Sequence, residues 1–308
     1  MLIPQPALRD IQNELREAFS IGLPLPGEIE PHLRGALVQA LEHPGRMVRA
    51  RLVMDVARAY GHPESRSLKL AIAMEYFHTA SLLFDDLPCM DDAAERRGEP
   101  CVHRTHGEAA AMLAALGLVN RAYALLWRGM AESPAGRQSQ AGAYVEECLG
   151  VGGLLNGQSE DLHYGQLAAN RRSPQKVAAG KTVSLIRLSL VLPALLGGAA
   201  PGEIRLMERL AMFWGLSYQI LDDLKDVCQG AAQTGKTPAR DLPLSRPNLV
   251  LAIGARESLA RLERMMRLGD RAQARLQGRL PSLTFLSDLR HRFGREIAGL
   301  KESHLWAA

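Results

Sequence analysis

The chain has few cysteines, and their spacing is not that of a structural framework. Its 308 residues include four cysteines, at positions 89, 101, 148 and 228. None forms a CxxC pair, which argues against a zinc knuckle or a disulfide scaffold. The sequence therefore predicts free thiols in a reducing compartment.

Long hydrophobic runs and a basic leader are also missing. The longest apolar run, residues 188–200, is interrupted by Pro193 and by two glycines. It is too short to span a bilayer. Residues 1–6 lack the basic start and the cleavage site of a secretory signal. We expect a cytoplasmic protein with no transmembrane segment.

Lysine is scarce, since only six of the 37 basic residues are lysines. The net charge of +4, without any basic run, does not indicate nucleic-acid binding. Two of the six lie in identical tripeptides, Gly-Lys-Thr at 180–182 and 235–237. A lysine kept where arginine is otherwise preferred indicates a compact charge, such as one that contacts phosphate. Neither tripeptide has the earlier glycine of a P-loop.

What the chain does have is two aspartate clusters, residues 85–92 and 222–226, with seven of its thirteen aspartates. Asp222 and Asp226 are four residues apart and project from one face of a helix, where bare carboxylates repel each other. A bound cation would relieve that repulsion. The alternative is an acidic helix end that faces solvent.

In the first cluster, Asp85 and Asp91 can converge only if the helix ends between them. Pro88 predicts that end. Oxygen ligands without nearby cysteine or histidine ligands favour Mg²⁺ over zinc. The two clusters together therefore predict a magnesium site.

Hydrophobic periodicity predicts helix almost throughout, with no alternating strand pattern. The clearest predicted helices cover residues 70–84, 109–130, 185–196, 204–227 and 259–276. Glycine and proline predict breaks at 24–27, 43–45, 61–63, 133–136, 173–174, 197–202 and 237–238. We expect an all-α protein of ten or more helices in one bundle, a single domain over residues 1–308.

With these residues in view, the chain resembles the trans-isoprenyl diphosphate synthase (polyprenyl synthetase) family over about residues 40–250. It is similar to the short-chain synthases of farnesyl and geranylgeranyl diphosphate. The matching segments, in order, are residues 75–92, 95–98, 157–162, 181–182, 218–226 and 235–237. The resemblance implies a helical bundle of the isoprenoid synthase type with a central cavity.

The resemblance also implies roles for individual residues. Those expected to hold Mg²⁺, three ions per site when substrate is bound, are Asp85, Asp86, Asp91, Asp222 and Asp226. Those expected to contact the allylic diphosphate are Arg96, Lys181 and Lys236. Those expected to bind isopentenyl diphosphate without metal are Arg46, Arg49, His78 and Arg97. The expected catalytic set is Asp85, Asp91, Asp222, Lys181, Thr182 and Gln219, in which the threonine and glutamine place oxygen dipoles beside the allylic cation.

Several of these residues also have a purely structural interpretation. His78 could be a satisfied core histidine, and Arg96 and Arg97 could form a solvated helix start. Gln158 and Asp161 could be a buried polar pair that joins two helices, or could support the metal site indirectly. The chain departs from the family at residues 44–50, where Arg46 replaces a lysine, and near Arg246, where a lysine is usual.

The resemblance further implies that residues one turn before the first aspartates limit the product length. Small residues, Ala80 and Ser81, stand there, and Tyr76 and Phe77 lie one turn further back. One turn rises about 5.4 Å, on the order of one isoprene unit, so we expect the C20 product with Tyr76 and Phe77 as the floor. The alternative is that these two rings pack the core, with the floor near Met112.

The expected function is Mg²⁺-dependent condensation of isopentenyl diphosphate with an allylic diphosphate, making geranylgeranyl diphosphate. The expected protein is a homodimer. Farnesyl diphosphate is the alternative product. Two alternatives come from other functional classes, a class I terpene cyclase and a non-catalytic partner subunit. The residues expected to bind isopentenyl diphosphate argue against a cyclase, which would not need them. The two complete aspartate clusters argue against a non-catalytic subunit.

Overall fold

The computed structural model of the protein describes residues 8–228 and 246–302. Its α-helices, in chain order, are α1 Leu8–Ile21, α2 Pro31–Glu42, α3 Val48–Ala59, α4 Glu64–Asp85, α5 Val102–His106, α6 Glu108–Met130, α7 Ala135–Leu149, α8 Asn156–Leu162, α9 Pro174–Ala178, α10 Ser184–Gly197, α11 Pro201–Cys228, α12 Leu249–Ile253, α13 Ala255–Gln277 and α14 Phe285–Glu302. The predicted all-α class is confirmed.

The five long predicted helices are present as α4, α6, α10, α11 and α13, each at least as long as its apolar pattern. The predicted breaks at 24–27, 43–45 and 61–63 fall outside helices, and proline begins α2, α9 and α11. Proline suits the first turn because its missing N–H has no partner there in any helix. The break predicted at 237–238 lies outside the described residues.

A short β-hairpin is a feature of regular structure that periodicity did not predict. Strands β1 Glu95–Arg96 and β2 Glu99–Pro100 pair antiparallel. The two turn residues have positive φ, 58° at Arg97 and 84° at Gly98. Positive φ at both central residues is the pattern of a type I′ turn. The interpretation of Arg96 and Arg97 as a helix start is therefore wrong.

The described chain forms two compact units, residues 1–132 and 133–308. In the first, α4 packs against α3 and α6. Tyr76 of α4 is fully buried there, and its hydroxyl donates to the carbonyl of Phe19 at 2.7 Å. The helix α4, which carries the first aspartates at its carboxyl end, is thus packed in the core of this unit.

In the second unit, α11 packs against α13 and α12. Its buried residues near the second aspartate cluster are Ile220, Leu221 and Leu224, which join a core with Leu249 and Leu262. Because these leucines and this isoleucine occupy the inner face, the aspartates at the intervening positions are divided between the core side and the outer side.

Two helical stretches are long and apolar enough to cross a membrane, judged by length and composition alone. They are Glu108–Met130 and Pro174–Gly197. Of the most apolar 18 residues in each, 44% are buried inside the protein in the first stretch and 61% in the second. A core helix meets the same criteria, so these stretches are weak evidence for a span. The absence of a transmembrane segment stays a prediction.

Candidate active site

The first aspartate cluster forms a tight loop at the end of α4. The helix ends at Asp85, three residues before Pro88, so the predicted break is confirmed. The backbone then folds back, and the Asp91 amide donates to the Asp85 carbonyl at 2.9 Å. Asp85 and Asp91 are both partly exposed. The loop therefore brings the backbones of these two residues together and leaves both side chains accessible.

Asp86, in the same loop, faces the protein interior and binds Arg96 of the hairpin. The Arg96 Nε lies 2.8 Å from each carboxylate oxygen, and Nη2 lies 2.6 Å from Oδ1. Burial, the Asp86 charge and a hydrogen bond to Asp86 raise the pKa of the nearby Cys101 thiol to about 12. Asp86 was predicted to bind a metal ion and Arg96 a diphosphate, but in this structure they bind each other. Their roles toward those ligands remain predictions.

The second aspartate cluster divides by burial. Asp222 and Asp226 are partly exposed, whereas Asp223 is only 2% exposed. The Asp223 carboxylate accepts from Gln219 Nε2 and from the Leu249 amide, each at 2.8 Å. Asp223 therefore joins α11 to the start of α12, and Asp222 and Asp226 face outward.

A polar chain connects this aspartate to Thr182. The Thr182 hydroxyl donates to Gln219 Oε1 at 3.0 Å, and Gln219 in turn donates to Asp223. Because its proton is used in this bond, the Thr182 oxygen has only lone pairs left to offer. That arrangement suits the predicted role of an oxygen dipole beside a cation.

Lys181 lies on a π-helical turn, Ala179–Val183, that leads into α10. Its Nζ is 2.7 Å from Asp161 Oδ2 of α8. The backbones of the two segments touch at glycines, since a Cβ at Gly157 would lie 2.3 Å from the Lys181 nitrogen and one at Gly180 2.9 Å from the Gly157 Cα. Asp161 therefore positions Lys181, and glycine is required at the contact.

Three of the four residues predicted to bind isopentenyl diphosphate are close enough to interact electrostatically. Burial, followed by the charges of Arg49, Arg97 and Arg96, holds the pKa of His78 well below its usual value. His78 is therefore neutral at pH 7. Burial raises the pKa of the neighbouring Glu75, against the opposing effect of Arg49. The region is a concentration of positive charge on the first unit.

The loop before α3 is shaped by Arg97. Its Nη1 donates to the His43 carbonyl at 2.7 Å, and a Cβ at Gly45 would lie 2.6 Å from its Nη2. Met47, where the chain departs from the family pattern, has a left-handed φ of 52° and is buried. Arg46 beside it is exposed. Gly45 thus leaves room for the guanidinium to lie along this loop.

The predicted chain-length residues separate into two pairs. Ala80 and Tyr76 are buried at 1% and 0% exposure, and Tyr76 is tied to α1 as described above. Ser81 is partly exposed, and the Phe77 ring meets the Tyr123 ring of α6 edge to face at 4.9 Å. The core-packing alternative therefore describes Tyr76, whereas Phe77 lies with Ser81 at the four-residue spacing that leads to Asp85.

Among the described residues, no three histidine, cysteine or acidic side chains are arranged to hold a metal ion by themselves. Mg²⁺ is commonly held by one or two carboxylates together with substrate phosphates. The partly exposed oxygen donors Asp85, Asp91, Asp222 and Asp226 fit that chemistry. Lys236 lies outside the described residues.

Sequence reasoning missed two contributors to the site. Glu75 accepts from the Ala50 amide at 3.0 Å, and its signal was a lone carboxylate inside an apolar helix. The hairpin that carries Arg96 and Arg97 was missed as well. A two-residue turn that ends in glycine was its signal.

Comparison with known proteins places these features in context. The sequence model of the family described as Polyprenyl synthetase matches residues 30–278. A chloroplastic geranylgeranyl pyrophosphate synthase of Capsicum annuum is 33% identical over 240 residues, 76% of this chain and 65% of that protein. The chain thus spans slightly less than two thirds of that relative. A geranylgeranyl diphosphate synthase of Pantoea ananas is 31% identical over 85% of this chain and 84% of its own length.

The fold matches a crystal structure of a geranyltransferase from Helicobacter pylori complexed with magnesium and isoprenyl diphosphate. The TM-score is 0.77 at 23% identity, covering 98% of this chain and all of the other. At that identity the likeness shows the fold.

Proposed function

The chain belongs to the polyprenyl synthetase family, and from that membership we propose that it is a Mg²⁺-dependent trans-prenyltransferase. It condenses isopentenyl diphosphate with an allylic diphosphate, head to tail. The allylic C–O bond breaks, a new C–C bond forms to isopentenyl diphosphate, and a proton leaves with the released diphosphate. The products are the elongated diphosphate and inorganic diphosphate.

One observation carries this proposal: Arg49 and Arg97 lie close enough to a neutral His78 to lower its pKa. An enzyme that only ionises an allylic diphosphate has no use for a second, metal-free cationic pocket. A neutral histidine donates or accepts one hydrogen bond per ring nitrogen and adds no charge to repel the arginines. This pocket therefore favours elongation over the cyclase alternative.

The allylic diphosphate is assigned to the aspartates and to Lys181. Asp85 and Asp91 of the first unit, and Asp222 and Asp226 of the second, would hold Mg²⁺, three ions with substrate bound, and the ions would supply charge that stabilises the departing diphosphate. Lys181, oriented by Asp161, contributes one more positive charge. Thr182 and Gln219 offer oxygen lone pairs to the allylic cation without a strong nucleophile.

Geranylgeranyl diphosphate is the proposed product. Ser81 is small and partly exposed, so a growing tail can pass it. Phe77, braced by Tyr123, is the first bulky ring beyond it along the same spacing. The floor is therefore assigned to Phe77 and Tyr123, one turn beyond the position at which a farnesyl-length product would stop.

The proposed assembly is a homodimer, supported by an exposed apolar seam on α6. Leu113, Leu116, Tyr123 and Trp127 are 54%, 55%, 47% and 70% exposed. Together with Asn120 they repeat at alternating three- and four-residue steps, which is the spacing of a helix–helix seam.

A cytoplasmic location is proposed too, since the described cysteines 89, 101 and 148 are free thiols and suit a reducing compartment.

The test is purified protein with Mg²⁺, labelled isopentenyl diphosphate and each allylic primer in turn, with products separated by chain length. The expected main product is C20. A cyclic or unelongated product would identify a cyclase. Absence of turnover with every primer would leave the role of a non-catalytic partner subunit.

A further inference from the structure

A cavity in the second unit lies at the start of α11 and the end of α13, on residues that the proposed reaction does not use. Its volume is about 310 Å³. The lining residues are Gly202, Arg205, Leu206, Arg209, Arg275 and Arg279. Four of these six described lining residues are arginines and none is acidic.

The arginines come in two pairs at four-residue spacing. Arg205 and Arg209 lie on one face of α11, whereas Arg275 lies in the last turn of α13 and Arg279 lies two residues beyond its end at Gln277. Like charges at this spacing destabilise a helix. All four arginines are exposed, and they surround one cavity.

The floor of the cavity leaves room for the Arg279 guanidinium. Leu206 is only 8% exposed. A Cβ at Gly202 would lie 2.9 Å from Arg279 Nη1, so the absent side chain lets Arg279 lie over the first turn of α11. That turn is the positive end of a 28-residue helix, which adds to the attraction for an anion.

Nearby acids on the same two helices are already engaged elsewhere. Glu203 accepts from the Ala200 amide at 3.0 Å. Glu208 binds Arg187 at 2.6 Å, and Asp270 binds Arg290. Glu208 and Asp270 are therefore paired with arginines outside the cavity, whereas Glu203 keeps its charge in the first turn of α11; no described lining residue is acidic.

We propose that this cavity is a second anion site, which binds a compact ligand bearing two or more phosphate charges. Arginine forks bind phosphate oxygens in pairs, and four of them match a multivalent phosphate better than a single charge. The volume is at the lower end for small-molecule sites. The same chemistry is offered by free diphosphate and by an anionic lipid headgroup. This inference does not depend on the proposed reaction.

Hydrogen exchange of the full chain, with a metal chelator present, tests the site without turnover. Inorganic diphosphate is titrated, and amide protection is followed in peptides covering residues 201–209 and 272–280. Protection should saturate and weaken with added salt. In the variant Arg275→Gln/Arg279→Gln the half-saturating concentration should rise at least tenfold, because two charge-assisted contacts are lost.

The matched control is Arg256→Gln/Arg264→Gln, which removes the same charge from exposed positions of α13 outside the cavity. This control variant should bind diphosphate like the wild type.

A second arm of the experiment replaces diphosphate with vesicles of phosphatidylglycerol in phosphatidylcholine. Protection by diphosphate that needs Arg275 and Arg279 identifies a free phosphate ligand, and the same protection by vesicles alone identifies a headgroup. If neither probe protects these peptides, or if both double variants lose binding equally, the site is only a basic surface and the inference is wrong.

Discussion

Arg96 holds Asp86 through both carboxylate oxygens, with Nε 2.8 Å from each and Nη2 2.6 Å from Oδ1. The Asp86 side chain is 5% exposed and that of Arg96 is 24% exposed. The pair links the β-hairpin to the loop that carries Asp85 and Asp91. The position of this loop thus depends on a contact ten residues away in sequence.

Arg96→Ala should therefore destabilise the fold, because it leaves a buried carboxylate without its partner. Breaking a buried pair costs about 3–5 kcal/mol, and the partial exposure of Arg96 places the expected loss at about 2–3 kcal/mol. Urea unfolding measures it. Arg104→Ala is the control, since its pair with Asp92 is exposed on both sides and is worth at most about 1 kcal/mol. Equal losses in both variants would refute a structural role for the Asp86 pair.

Asp222→Ala should lower catalytic activity, whereas Asp223→Asn should lower thermal stability. Asp222 is partly exposed, so its loss should lower turnover by several orders of magnitude with the melting temperature unchanged, and Asp85→Ala should behave alike. Asp223 accepts from Leu249 and Gln219, so Asp223→Asn should lower the melting temperature. Calorimetry and the elongation assay measure these effects. Full activity of Asp222→Ala, or full activity of the wild type in excess chelator, would disprove the metal assignment.

Lys181→Ala and Arg49→Ala should separate the two substrate pockets. Removal of Lys181 should weaken use of the allylic substrate, as should Lys236→Ala, whereas removal of Arg49 should chiefly raise the KM for isopentenyl diphosphate. Each effect is about ten- to a hundredfold, the loss of one charge-assisted contact of roughly 1.5–3 kcal/mol. Steady-state kinetics, with each substrate varied in turn, measures these effects. Equal impairment of both substrates by all three variants would contradict two separate pockets.

His78 should make the protein less stable in mild acid. Its pKa in the folded state lies well below the ordinary 6.5, so below that pH the unfolded chain binds the extra proton first. Stability then falls as pH falls, by about 1 kcal/mol near pH 5.5. Unfolding free energies at several pH values measure this. His78→Asn should remove that part of the pH dependence, and an unchanged pH profile in this variant would show that His78 titrates normally.

Product length should respond to residues on α4. Ser81→Tyr should shorten the main product from C20 to C15, because a ring one turn before Asp85, on the side of Phe77, blocks the tail. Phe77→Ala should lengthen it, since the Tyr123 contact is lost with the ring. Products are identified by chromatography. Tyr76→Phe is the control, because it removes only the hydroxyl bond to Phe19. A wild-type product of C15, or an unchanged product in Ser81→Tyr, would show that the floor lies elsewhere.

The sequence alone determined the fold class and the identity of the candidate residues. Apolar periodicity predicted α4, α6, α10, α11 and α13, because a 3.6-residue repeat is a local property of the chain. The aspartate spacing predicted that α4 ends before Asp91, and it does. Residue types at short spacing were therefore sufficient for these conclusions.

Only the tertiary structure decided which of the candidate side chains contact each other. Asp86 and Arg96 were predicted for different ligands and form an ion pair, and Asp161 proved to be the partner of Lys181. Tyr76 and Phe77 are adjacent in sequence, yet one is tied to α1 and the other packs on α6. Such pairings depend on helices and loops distant in sequence and on close backbone contacts such as that of Gly157 with Gly180, which local periodicity does not encode.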